Sequence, residues 1–251
     1  MLRKVLPPLV FLLVAGTASA SISPQTFEAS GPSSTGDTIH ASAQFTFNNL
    51  TLTLVLTNLL PNPASVAQNI TDFSFQLLNS LGQNIDPGCS GSCLTGATAA
   101  QTVTVATGGG KTISNVAVDP KWAYTLTSGI YLLNGLGGAN NPAYSIIGPP
   151  DGSGNYSAAK GSIAGNSSHN PFIYQTATWT FHIPDLVSAG PITVGHVIFS
   201  FGTTSGETFS CDDSGCGGGG GQAVPEPVTL LLTGTGLIGL YFIRRHRPGS
   251  R

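Results

Sequence analysis

Arginine is missing from the whole stretch between Ser21 and Pro227. That stretch holds three lysines (Lys111, Lys121 and Lys160) and all eleven acids, a formal balance of −8. Nucleic-acid binding draws on a surface that neutralises phosphates, so no nucleic-acid partner is expected. Charged residues of either sign are scarce, at 8% of the chain. Long solvated helices want Glu, Lys, Arg and Ala in quantity, so they are not expected either. Signatures of catalysis are lacking too. There is no G-x-S-x-G elbow and no H-E-x-x-H, and His40, His169, His182, His196 and His246 show no i, i+4 ligand pair. The acids are scattered and single out no pair of the kind glycoside hydrolysis needs. No enzymatic activity, metal or cofactor is expected.

What the chain has in abundance is glycine (33) and proline (17), with Thr, Ser and Asn at most remaining polar positions. That composition suits short strands joined by many turns. Phe45 and Phe47, then Leu50, Leu52, Leu54 and Leu56, recur at period two with threonines between them. This pattern predicts two strands, Ala43–Phe47 and Leu50–Leu56, turning at Asn48-Asn49, with one face packed and one hydroxylated. Phe73–Leu77 alternates in the same way. So does Ala177–Ile183, where Ala177, Trp179, Phe181 and Ile183 face opposite to Thr178, Thr180 and His182. Further strands are predicted at Thr102–Ala106, Val116–Val118, Ala123–Leu126, Ile130–Leu133 and Ile192–Phe201. The stretches 58–67, 136–154 and 161–170 read as loops. The expected fold class is all-β: an antiparallel β-sandwich of jelly-roll or immunoglobulin-like topology over residues 21–216.

Four cysteines occur as Cys89-x₃-Cys93 and Cys211-x₄-Cys216, both in Gly/Ser-rich surroundings. Two local disulfides are the expectation, with cross-links between the two pairs as the alternative. A zinc site would require all four thiolates to converge as ligands. Asp151-Gly-Ser-Gly-Asn155 and Asp212-Asp213 are oxygen-rich segments of a kind calcium uses, and Asp-Gly-Ser-Gly is equally a turn sequence.

The ends differ from the middle. Met1-Leu-Arg-Lys4 is a basic start, Val5–Val14 is apolar, and Ala18-Ser19-Ala20 offers the small residues of a signal-peptidase site. Residues 1–20 therefore read as a signal peptide cut before Ser21. At the far end, a glycine-rich linker (217–223) precedes Val224-Pro225-Glu226-Pro227, sixteen uncharged residues from Val228 to Ile243, and the cluster Arg244, Arg245 and Arg247. Sixteen helical residues span about 24 Å, slightly short of a bilayer core of about 30 Å. Flanking arginines reach the interface and hold the cytoplasmic side. A membrane-spanning helix over 228–243 is the expectation.

The segment from Val224 to Arg247, with its Val-Pro-Glu-Pro box, Gly-containing apolar helix and basic end, resembles a PEP-CTERM sorting signal. The stretch Phe45–Leu77 also resembles the opening of small β-rich domains on other such proteins, which carry no assigned chemistry. The resemblance implies that Pro225, Glu226 and Pro227 are read by an exosortase, a membrane-embedded transpeptidase-like enzyme, in a Gram-negative bacterium that makes exopolysaccharide. The expected partners are signal peptidase, that exosortase and the membrane. The expected place is the cell envelope or extracellular matrix, and the expected role structural or adhesive. A polysaccharide-binding module, with Trp122, Tyr124, Tyr131, Tyr144, Tyr156 and Tyr174 as sugar-stacking candidates and exopolysaccharide as ligand, is the competing expectation. A secreted hydrolase is the third.

Overall fold

The computed structural model describes residues 24–33, 36–85, 87–89, 92–186, 191–203 and 208–210. All of them belong to one compact unit spanning Ile22–Gln222. The expected signal peptide, linker, sorting box, membrane helix, arginine cluster and Cys211/Cys216 lie outside the described residues.

The described strands, in chain order, are β1 (Gln25–Pro32), β2 (Thr38–Asn48), β3 (Thr51–Asn58), β4 (Ile70–Leu78), β5 (Leu94–Thr98), β6 (Thr102–Val105), β7 (Lys111–Ser114), β8 (Ala123–Thr127), β9 (Ile130–Asn134), β10 (Ile146–Ile147), β11 (Phe172–Tyr174), β12 (Thr176–His182), β13 (Thr193–Phe201) and β14 (Thr208–Ser210). They form a five-stranded sheet in the order β1-β2-β3-β12-β5 and a second, nine-stranded sheet. In the second sheet β14 and β13 lead to β4, where the sheet forks. One branch continues through β9 to β8, and the other through β10, β11 and β6 to β7. The sheets are sandwich-like, as the composition implied. All pairings are antiparallel except that of β10 with β11, which is parallel.

Alternation builds the first sheet. In the β2–β3 hairpin Phe45 pairs with Leu54, Phe47 with Leu52 and Ala43 with Leu56, and all six are buried. The turn falls at Asn49-Leu50, one residue later than the sequence suggests. Asn49 takes φ +51°, a left-handed conformation that asparagine tolerates better than most residues. On β12, Ala177, Trp179 and Phe181 point inward as expected, with the threonines between them on the outer face.

β13 contains a phase change. Gly195 pairs with Gln76 but Ile198 with Ser74, so β13 carries one residue more than β4 over that span. The extra residue is a β-bulge at His196, φ +48°. It moves the inward set from Val194 to Val197, Phe199 and Phe201, all buried. Without it the two phenylalanines would face water.

The main core is aromatic and joins the sheets. Phe75 on β4 lies 5.0 Å from Phe45 (β2), 5.9 Å from Phe181 (β12) and 4.7 Å from Tyr131 (β9), ring centre to ring centre. Phe73 sits 5.0 Å from Phe199. Trp122 meets Trp179 at 5.0 Å. Such pairs contribute roughly 0.5–1.5 kcal/mol each beyond the area they bury.

A smaller core lies under the second branch, where Val103, Val105, Ile147, Tyr156, Ile163 and Phe172 meet. The long segments between β10 and β11 are therefore loops that are pinned. Asn170 Oδ1 accepts from Val105 N (2.7 Å), while its Nδ2 donates to Ile163 O (3.1 Å) and Asn166 O (2.7 Å). Tyr156 Oη donates to Gly148 O at 2.8 Å. Gly148 itself passes so close to the chain that a Cβ there would sit 1.9 Å from Leu60 O.

One buried carboxamide ties the two sheets at their shared end. Asn58, at the end of β3, donates from Nδ2 to Gln68 O and Ile146 O, both at 2.9 Å, and accepts from Leu60 N at 3.1 Å. Each capacity of that side chain facing the core is used, so its burial is not penalised.

Truncating the ring at the centre of the main core is expected to cost about 3–5 kcal/mol for Phe75→Ala. Phe27→Ala, on edge strand β1 and only half-buried, should cost clearly less. Urea unfolding of the two variants checks this, and equal losses would contradict the layered core.

Candidate functional site

Cys89 and Cys93 are bonded as a local disulfide, their Cα atoms 5.5 Å apart. The bridge closes the loop that leads into β5. Cys93 is fully buried against the main core, and its carbonyl accepts from His182 N at 2.8 Å. The disulfide thus anchors the edge strand β5 to β12.

The histidines are dispersed. His40 on β2 contacts Glu28 on the neighbouring β1. His169 bonds Ser162 O through Nδ1 at 2.7 Å. His182 lies on the five-stranded sheet and His196 at the bulge of β13 in the other sheet, so the two strand histidines are not brought together. Among the described residues no group of three or more His, Cys, Asp and Glu side chains converges. Asp72 on β4 is the acid that burial pushes upward, an effect partly offset by the Leu136 and Gly135 N–H groups it accepts from. It fastens the 135–136 turn to the sheet.

The Asp151 loop is a self-capped turn. Oδ1 accepts from the Ser153 hydroxyl (2.6 Å), Ser153 N (2.9 Å) and Asn155 N (3.0 Å), and Oδ2 accepts from the Ser157 hydroxyl. Both oxygens that calcium would take are already engaged by the loop's own donors. Those donors, the Ser153 and Ser157 hydroxyls first, hold the carboxyl well below the usual carboxylate range.

Of the six aromatic residues considered for stacking sugars, Tyr131 and Tyr156 are fully buried and Trp122 is 6% exposed. They belong to the two cores. Trp122 Nε1 donates to Tyr144 O at 3.0 Å, and burial pushes the Tyr156 hydroxyl far above its ordinary range. Tyr124 packs half-buried beside Phe181. Tyr144 is half-buried against the main core. Tyr174 is also half-buried, packed against the smaller core, and it lines a groove.

That groove, about 310 Å³ in volume, is lined chiefly by Thr98, Gln101, Tyr174, Gln175, Thr176 and Thr178. It forms where the chain leaves the second sheet at Tyr174 and enters the first at Thr176. Gln175 is the corner between them. Its N donates to Ile147 O (3.0 Å) and its O accepts from Asn58 N (2.9 Å), so it touches both sheets. It adopts φ +65°, a conformation costing about 1–3 kcal/mol for a residue with a side chain. The opposite wall comes from Thr98, which pairs with Thr178, and from Gln101 just beyond, whose carbonyl accepts from Tyr174 N at 3.0 Å. No Asp, Glu, Lys, Arg or His side chain lines it. Sequence reasoning missed the groove because one wall comes from Thr98 to Ala117 and the other from Tyr174 to Thr178, segments far apart in the chain. The half-buried threonines of β12 and the stacking candidate Tyr174 were the signals pointing to it.

No protein family, curated protein or solved structure matches this chain.

The Asp151 carboxyl gives a prediction with a definite sign. Its value is depressed in the folded protein, so its stabilisation is complete above the unfolded value of about 3.9 and is lost as pH falls through the lower folded value. The carboxyl ¹³C shift of Asp151 should stay flat from neutral pH down to about 3.9. A titration midpoint at or above that value would contradict the self-capped turn.

Proposed function

We propose that this chain is an exported bacterial envelope or matrix protein. In this reading the sorting tail hands the protein to an exosortase, and the β-domain plays a structural or adhesive part with no turnover of its own. The observation that carries the proposal is the three-part order of the C-terminal region: Val224-Pro225-Glu226-Pro227, then the apolar run to Ile243, then Arg244, Arg245 and Arg247. A signal peptide over residues 1–20 with cleavage between Ala20 and Ser21, a displayed domain over 21–216 and a membrane helix over 228–243 complete it.

Three features of the described domain support the proposal. The Cys89–Cys93 bond suits an oxidising compartment, since cytosolic thiols are kept reduced. The outer face of the five-stranded sheet is rich in hydroxyls and poor in charge, with Thr46 beside Thr53, Thr53 beside Thr180, and Ser42 beside Thr57. The chain also changes sheets between β3 and β4, β4 and β5, β5 and β6, β11 and β12, and β12 and β13. Crossings of this kind are shared by jelly-roll and immunoglobulin-like sandwiches, the topology we favour for it.

Mass spectrometry of the mature C-terminus, in cells with and without their exosortase, tests the proposal. Loss of the segment beyond the Pro225–Pro227 box in the presence of the enzyme only is the expected result. An intact C-terminus in both strains would overturn it.

A further inference from the structure

We infer that the groove at the Gln175 corner is a binding site for an extended, uncharged polysaccharide. The inference deepens the proposed envelope role, resting on it only for access to the polymer.

The chemistry of the lining selects the ligand class. Thr98, Thr176 and Thr178 offer hydroxyls that donate and accept, and Gln101 and Gln175 offer carboxamides that do both. Sugar hydroxyls have the same dual character. Tyr174 adds a half-buried aromatic residue to the lining, packed on one side against the smaller core, whose remaining exposed surface pairs an apolar face with a polar tip suited to the carbon face of a pyranose. An anionic polymer would need cations, and the lining supplies none. A purely apolar ligand would strand the amides and hydroxyls without partners. A neutral glycan leaves neither deficit.

The side chain at the corner is the second observation. A left-handed corner is most cheaply made with Gly or Asn, yet this one carries Gln. The Gln175 side-chain amide makes no hydrogen bond among the described residues. Gln101 is held differently, its Nε2 donating to Asn115 Oδ1 at 2.5 Å, which fixes the plane of its amide. One fixed amide and one uncommitted amide thus face the same groove.

The third observation is continuity. Thr98 pairs with Thr178, Thr178 with Val55, and Val55 with Gln44, so a row of side chains leads out of the groove across the sheet. Thr176, Thr57 and Ser42 form a parallel row, with Thr57 Oγ1 and Thr176 Oγ1 3.3 Å apart. Neighbouring strands are about 4.8 Å apart, a step comparable to one sugar ring. The groove holds one or two rings, and the rows carry the polymer onward.

Affinity electrophoresis of the full-length protein, in a detergent without a sugar headgroup, tests this. The native gels contain hydroxyethylcellulose, galactomannan or dextran, with alginate as the acidic control. Retardation by at least one neutral polymer and not by alginate is expected. Tyr174→Ala and Gln175→Gly should each weaken it by about tenfold, the loss that follows truncation of a central contact. Gln175→Gly relieves the left-handed backbone, so it should melt no lower than the parent and still lose binding. No retardation by any neutral polymer, equal retardation by alginate, or unchanged retardation of Gln175→Gly would each overturn the inference. The gel is independent of tail processing: a processed C-terminus with no retardation rejects the groove alone, and retardation with an unprocessed C-terminus rejects the sorting role alone.

Discussion

Two phenylalanines on one strand set the terms for the described domain. Phe73 and Phe75 both project from β4 toward the opposite sheet, and β4 is also the strand at which its own sheet forks. Rings of that size must be covered on every side or they forfeit the burial that drives folding. Phe45 and Phe181 cover them from the opposing sheet, and Tyr131 and Phe199 from the strands that flank β4. The bulge in β13 follows from this demand. One inserted residue at His196 turns Phe199 and Phe201 inward, and Phe199 then reaches Phe73. Once the inward positions are committed to the core, the outward ones are left to Thr, Ser, Asn and Gln, giving a surface that carries little charge.

The fork at β4 has a functional consequence. Because one branch swings away through β10 and β11, the chain must return to the five-stranded sheet at a sharp corner, Gln175. Asn58 braces this junction from inside, bonded to the chain at Gln68 and Ile146 while its own N–H meets Gln175 O. The backbone of the corner is therefore held from both sheets. Such anchoring is what a site needs to hold a ligand without a large loss of conformational entropy.

Much of the first sheet was legible in the sequence. The alternation of Phe45 to Leu56 and of Ala177 to Ile183 named both the strands and their buried faces, because period two on a one-sided sheet leaves few other solutions. Strands without that signal were invisible. β1 is an edge strand whose side chains are mostly half-buried or exposed, β5 is interrupted by Gly96, and β10 and β11 are only two and three residues long. Val116–Val118 erred in the other direction. Its β-branched residues suggested a strand, yet only Val118 bridges to Ala99 and Val116 is 68% exposed. The aromatic candidates illustrate the same limit. Their identities are in the sequence, but Tyr131 and Tyr156 are buried and Tyr174 borders the groove, and only tertiary packing separates them. The local Cys89–Cys93 bond was legible, since four residues of spacing in a Gly/Ser-rich loop brings the two thiols within reach.

Whether this domain faces the outside of the cell can be measured on the three lysines it carries. Lys121 and Lys160 are exposed and Lys111 is half-buried, so all present amines to solvent. Intact cells would be treated with a sulfonated amine reagent that passes outer-membrane pores but not the inner membrane, then quenched, and the protein's peptides weighed. Modification of Lys121 and Lys160 before the cells are broken is the expected result. Modification of those lysines only after lysis would place the domain in the cytoplasm and contradict the account.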